Sequence, residues 1–238
     1  MAESSTFTFN DPDSYAAAFG GPRVNLTITG AGGFRATLSR LNMKQLEVYW
    51  LRENLPRIAY LTLPPGRIFL SFPVGRHSPI FAGFACQSGD IVLHSRGGQI
   101  HQRSSGECQW GLVSISPLQL DIHAKALMGQ PIASPDATRI LRPVRAEALR
   151  FKRLFRQACR LIDTRTKLIE RPEVALEQEL LYEIIYCLAA KEADDNPKTR
   201  HHHVAARERR EGRLIYAGES LRLLQKRLPT GETCPRSV

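Results

Sequence analysis

The chain has no run approaching the roughly 18 consecutive apolar residues that a membrane-crossing helix requires, and this excludes a spanning segment of that kind. Its opening stretch, MAESSTFTFNDPDSY, lacks a basic region followed by an apolar run. It therefore does not read as a secretory signal, and a cytoplasmic location is expected. Cysteine is sparse and scattered: Cys86, Cys108, Cys159, Cys187 and Cys234 are odd in number and contain no C-x-x-C pair. Neither a disulfide framework nor a structural zinc site follows from that spacing, and reduced thiols are the expectation. The phosphate-cradling pattern G-x-x-x-x-G-K-[ST] does not occur, nor does the G-x-S-x-G of a nucleophile elbow. Gly30-Ala31-Gly32 and Gly97-Gly98 are turn glycines by context. No internal repeat is apparent.

What is present is an ordinary globular composition, 42% apolar and 24% charged over 238 residues, with a formal charge of +10. That length suits one substantial core with a smaller appendage. The charge attracts polyanions in a general way, but arginines spread along the chain define no nucleic-acid site by themselves.

To about Ser116 the pattern is that of β-strands. Val24 to Thr29 and Phe34 to Leu41 alternate apolar and polar residues around an Ala31-Gly32-Gly33 turn. Further short strands are expected at 46–51, 57–63, 67–72, 80–85, 90–94, 100–103 and 109–115. Pro64-Pro65-Gly66, Pro73-Val74-Gly75, Ser88-Gly89-Asp90 and Gly97-Gly98 separate them. Many short strands divided by Gly and Pro turns predict a jelly-roll sandwich or barrel. One early helix is expected after the N-cap Asp11 and Pro12.

After Ser116 the period changes to about 3.6. Ser116-Pro117 opens a helix that Gly129 closes. A longer helix is expected over 145–164, with Phe151, Leu154, Phe155, Ala158, Leu161 and Ile162 on one face and Arg150, Arg153, Arg156 and Arg160 largely off it. Another begins at Pro172-Glu173 and carries Val174, Leu181, Ile184, Ile185 and Leu188 to about Ala190. The pair predicts an antiparallel hairpin. From about residue 193 a linker and a basic, poorly ordered tail are expected, containing His201-His202-His203.

Several of these segments together resemble a known family: Asp11-Pro12-Asp13-Ser14-Tyr15, Gly33-Phe34-Arg35-Ala36, Pro56-Arg57-Ile58-Ala59, Pro64-Pro65-Gly66-Arg67, Gly89-Asp90-Ile91-Val92-Leu93-His94, His101-Gln102-Arg103, Trp110-Gly111 and Pro172-Glu173-Val174. The stretch from about Phe7 to His203 resembles the N-terminal, AraC-binding-like region of AraC-type transcription regulators. The resemblance implies an α+β fold. It further implies a cupin-like β-barrel (1–130) that binds or once bound an effector, a helical hairpin (131–192) that dimerises, and a linker and tail (193–238) that in the family leads toward a pair of helix-turn-helix units. Such a pair needs on the order of a hundred residues, and the stretch after His203 shows no capped amphipathic helix pairs. A form truncated or frameshifted before the DNA-binding domain is therefore expected, with no DNA-binding residue assigned and no preference for promoter sequence.

Within that frame the expected small-molecule pocket is formed by Phe69, Phe81, His94, His101 and Trp110, with Phe72 and Phe84 also facing the barrel interior. Aromatics at strand spacing equally describe a filled core. Arg67, Arg76 and Arg103 would supply charge to an anionic effector. The dimer contact is expected on Phe151, Leu154, Leu181, Ile184, Ile185 and Leu188, giving a homodimer. The alternative is a metal-dependent cupin enzyme holding its metal through His94, His101 and Glu107. No H-x-H occurs in the β region, and two histidines alone give neither the number nor the spacing of a metal site. No catalytic residue, metal or cofactor is assigned.

Overall fold

A computed structural model describes residues 3–75, 77, 79–132, 136–163 and 172–195. Twelve strands among them form two antiparallel sheets. The larger takes β1 (Glu3–Phe9), β3 (Ala36–Asn42), β4 (Leu46–Glu53), β11 (Cys108–Ile115), β6 (Ile68–Pro73), β9 (Ile91–Leu93) and β12 (Arg139–Leu141), in that spatial order. The smaller takes β2 (Arg23–Ile28), β5 (Arg57–Thr62), β10 (Gln99–Ser104), β7 (Ile80–Phe81) and β8 (Phe84–Ala85). The α+β class stands, but the expected barrel does not close. Strand pairing leaves two separate sheets that face each other across a shared core, each with free edges.

Period-two alternation explains which side chains enter that core. Tyr49 and Leu51 of β4, Trp110 and Leu112 of β11, Ala59 and Leu61 of β5, and Ile100 of β10 all point between the sheets. On β5 and β10 the intervening residues, among them Tyr60 and Arg103, face solvent. The larger sheet differs because its other face is also covered. Leu46, Val48, Leu70, Phe72, Val113 and Ile115 are all buried there. Hence β6 and β11 read as nearly continuous apolar runs, the pattern of strands buried on both faces.

Helices supply the cover. The first, α1 (Pro12–Ala17), starts where Asp11 accepts from the Ser14 amide at 2.8 Å. In α2 (Pro117–Met128) Ser116 accepts from the Gln119 amide, and Gly129, with φ of 76°, ends the helix. Only glycine takes that left-handed conformation at little cost. The two long helices are α3 (Arg145–Asp163) and α4 (Pro172–Asp195). Phe151 and Phe155 of α3 meet the Phe72 ring edge-on, at 4.7 and 4.8 Å between centroids. Phe72 thus faces the helix and not the inter-sheet interior, a correction to its expected place. The close approach depends on Gly111, where a Cβ would collide with Phe72 and lie 2.9 Å from Phe155. On α4, Glu177 accepts from the Leu46 amide at 3.0 Å, and Glu183, farther along the helix, pairs with Arg150 of α3 at 3.4 Å.

Two strands were not read from the sequence. β1 is a largely exposed edge strand whose apolar residues do not mark a buried face. β12 has three residues and pairs with β9, so the sheet continues past the expected boundary at residue 130. Residues 1–195 form one compact unit, and the expected basic tail from Asn196 onward lies outside the described residues.

Candidate functional site

The residues expected to line an interior pocket divide between two faces. Phe69, Phe81, His94 and Trp110 enter the core. The Phe81 ring stands 6.0 Å from Trp110 and 6.5 Å from His94. His101 points out of the smaller sheet and packs on Tyr60, 4.9 Å between ring centroids. Glu107, in the turn before β11, is exposed. The three residues of the metal-site alternative are therefore not gathered at one point. Among the described residues no group of three or more His, Cys, Asp or Glu has the arrangement of a metal site. His94 Nε2 lies 2.8 Å from Ser71 Oγ, and burial pushes its pKa down to about 3. It is a neutral core imidazole.

The core also holds a buried ionic cluster. Glu53 Oε2 accepts from Arg57 Nε at 2.7 Å and from the Cys108 thiol at 3.2 Å. Its Oε1 accepts from the Tyr15 hydroxyl at 2.7 Å and from Trp110 Nε1 at 3.4 Å. Burial pushes the Glu53 carboxyl up, but the Arg57 charge and these donors override it and hold the group below the usual carboxylate range. Burial and the Glu53 charge raise the Tyr15 hydroxyl and the Cys108 thiol, so both stay protonated. Desolvation of both groups offsets much of the attraction within such a buried pair. Arg57 Nη1 and Gln102 Nε2, both buried, meet no acceptor among the described residues.

A different feature opens to solvent. Between α3 and one end of the larger sheet lies a groove of about 660 Å³, walled by Trp50, Pro73, Gly75 and Gln109 on the strand side and by Lys152, Phe155, Arg156 and Arg160 on the helix side. A second depression of about 570 Å³ shares Ser88, Lys152, Arg156 and Arg160 with it and adds Arg153. Among the described residues, no lining residue of either is acidic. Volumes of this size are usual for small-molecule sites.

Each wall has a local cause. Trp50 sits at an outward-facing position of β4 because its neighbours Tyr49 and Leu51 take the inward ones. Its buried Nε1 meets no acceptor among the described residues, while Arg52 lies over its ring at 5.3 Å. Gly75 passes so close to Gln109 that a Cβ would stand 3.1 Å from its side chain. The loop before β9 is shaped by Asp90, which accepts from the Gln87 amide at 2.9 Å, and by Gly89 at φ of 110°. That loop presents Ser88, whose hydroxyl accepts from Lys152 Nζ at 2.8 Å. Partial burial first, and the Arg156 charge second, push the Lys152 pKa below the usual lysine value. Cys86 also lines the groove, with its thiol pushed up to about 11 by burial and by Asp90, so it is not a ready nucleophile.

The helical periodicity puts Arg156 and Arg160 largely off the apolar face of α3, and it gives no sign of the groove. One signal was present: Lys152, Arg156 and Arg160 are like charges at i, i+4 and i+8, a spacing that costs a free helix a few tenths of a kcal/mol per pair. Of the expected charge donors, Arg67 bonds Ser114 and approaches Glu47, and Arg103 is exposed on the opposite sheet. Arg76 and the Phe84 side chain lie outside the described residues.

The residues assigned to a dimer contact are covered within one chain. Phe151, Leu181, Ile184, Ile185 and Leu188 are all buried, and only Leu154 keeps partial exposure. The chain itself supplies the cover that the sequence reading gave to a second copy. Among the described residues, the large apolar side chains that the helical segments leave exposed are Leu118 and Ile122 on α2, Val144 just before α3, Leu149 on α3 and Val174 on α4.

Two facing antiparallel sheets, one backed by long helices, leave an open basic groove at the helix–sheet junction. The fold is similar to that of a solved AraC-like transcriptional activator, CuxR, with a TM-score of 0.52 and 15% sequence identity, covering 78% of this chain and 70% of that one. No protein-family model matches the chain, and no curated protein matches it in sequence.

Proposed function

We propose that the chain is the effector-sensing and dimerising part of an AraC-type regulator of transcription, acting by binding and not by catalysis. The observation that carries this reading is the shared fold with an AraC-like transcriptional activator over 78% of the chain. The order of parts supports it as well: a two-sheet body followed by two long helices is the arrangement that the family resemblance implies for sensing and dimerisation. The place of His94, inside the core and away from His101, favours binding over the metal-enzyme alternative.

The homodimer belongs to the same proposal, with its contact on the exposed residues. Leu118 and Ile122 stand one turn apart on α2, 67% and 49% exposed. A second copy would bury them, as two-fold association commonly does for apolar surface.

The test is a fusion. The whole chain joined to a DNA-binding domain that occupies its operator only as a dimer should repress a reporter. Leu118→Glu with Ile122→Glu should abolish repression at an unchanged protein level. A wild-type fusion that is present but does not repress would overturn the reading.

A further inference from the structure

We infer that the groove between α3 and the larger sheet binds a small, multiply charged anion whose charged groups are spaced to meet Lys152 and Arg156 together, with Ser88 and Gln109 as additional donors. The regulatory meaning of such binding rests on the sensory reading above. The binding itself does not.

Geometry comes first. Residues four apart on a helix stand about 6 Å apart on one face, so Lys152 and Arg156 present two positive centres at that spacing, and Arg160 continues the row within the same wall. A monovalent anion neutralises one centre and leaves the next. A molecule with two or more anionic groups neutralises both. Arginine offers a planar fork suited to phosphoryl or carboxylate oxygens. The cavity, at about 660 Å³, admits an organic molecule and not merely a single ion.

Charge and placement agree. Among the described residues, the two adjoining depressions are lined by Lys152, Arg153 and Arg156 and by no acidic side chain. Lys152 is partly buried and held on Ser88, so its ammonium is fixed at the groove wall and not free in solvent. Its pKa is already depressed by burial and by Arg156, a like-charge cost that a bound anion would relieve. The strand-side wall contributes the Gln109 amide and the Trp50 edge, whose indole N–H meets no acceptor among the described residues. A fixed ammonium, an arginine fork and neutral donors around one concavity are the components that anion recognition uses.

The experiment titrates the full chain with pyrophosphate, with citrate and with acetate at low ionic strength. Calorimetry gives stoichiometry, and tryptophan emission reports on Trp50 in the groove, since the other tryptophan, Trp110, is buried in the core. Saturable binding of pyrophosphate or citrate at one site per chain, with none for acetate, is the expected result. The stronger of the two probes identifies the ligand as a phosphoryl or a carboxylate compound. Lys152→Gln with Arg156→Gln should weaken binding by about 100-fold or more, since hydrogen bonds to charged groups contribute roughly 10- to 100-fold each. Arg209→Gln with Arg210→Gln in the tail should leave it unchanged. If the paired groove variant does not fold, Arg156→Glu alone should abolish binding with the circular dichroism of wild type. Lack of saturable binding to both probes, or equal binding by the groove variants and wild type, would overturn the inference. A chain that binds pyrophosphate but fails the fusion assay retains the groove and loses the regulator.

Discussion

His94 is the residue whose role changes most between pocket ligand and core member, and replacing it by glutamine separates the two. In the folded chain the imidazole is neutral, 1% exposed and set against Ser71, with its pKa lowered from 6.5 to about 3. In the unfolded chain it titrates normally. Between about pH 3 and 6.5 the unfolded state therefore binds more protons, and linkage makes folding stability fall as pH drops through that window. From about pH 7 to about pH 5 the loss attributable to this one group is about 2 kcal/mol, from the pKa difference and 1.36 kcal/mol per unit. His94→Gln keeps an amide that can bond Ser71 and carries no titratable group. Urea denaturation followed by circular dichroism at several pH values gives the stability of each form. The variant's curve should be flatter than wild type by that amount over this interval. Glu53 and other carboxylates titrate alike in both proteins, so the difference isolates His94. Parallel curves would refute the assignment, and so would a wild type whose stability rises with acid there.

Two further outcomes follow from the packing of the helices. Gly111→Ala places a methyl group against Phe72 and Phe155, and this overpacking should destabilise the chain by about 1–3 kcal/mol in urea denaturation. A change near zero would show that α3 does not rest on that strand. Leu181→Glu with Ile185→Glu introduces two carboxylates at positions fully buried within one chain, and the cooperative unfolding transition should disappear. A well-folded monomer from that variant would restore these residues to a dimer contact.

Much of the fold was legible because its signals are local. Ser116, Pro117 and Gly129 mark the ends of α2, and Asp11 with Pro12 marks the start of α1. The alternation in β2, β5 and β10 shows which face is solvated. The missing parts depend on tertiary partners. Phe72 lies on a strand buried on both faces, where alternation no longer tells inside from outside, and only its contact with α3 settles its direction. The apolar stripe on α3 was read as needing a partner, and it has one in the sheet of the same chain. The same uncertainty separates the histidines. His94 and His101 flank one turn in sequence, but one directly follows β9 of the larger sheet and the other lies on the outer face of the smaller. The groove was invisible because its two walls, β4 and α3, are brought together only by folding.

Sedimentation velocity of the whole chain at tens of micromolar, roughly where weak dimers persist, tests the proposed homodimeric sensing module most directly. A species with twice the mass of one chain is predicted, converted by Leu118→Glu with Ile122→Glu to a monomer with unchanged circular dichroism. A wild-type chain that sediments only as a monomer at that concentration would contradict the account.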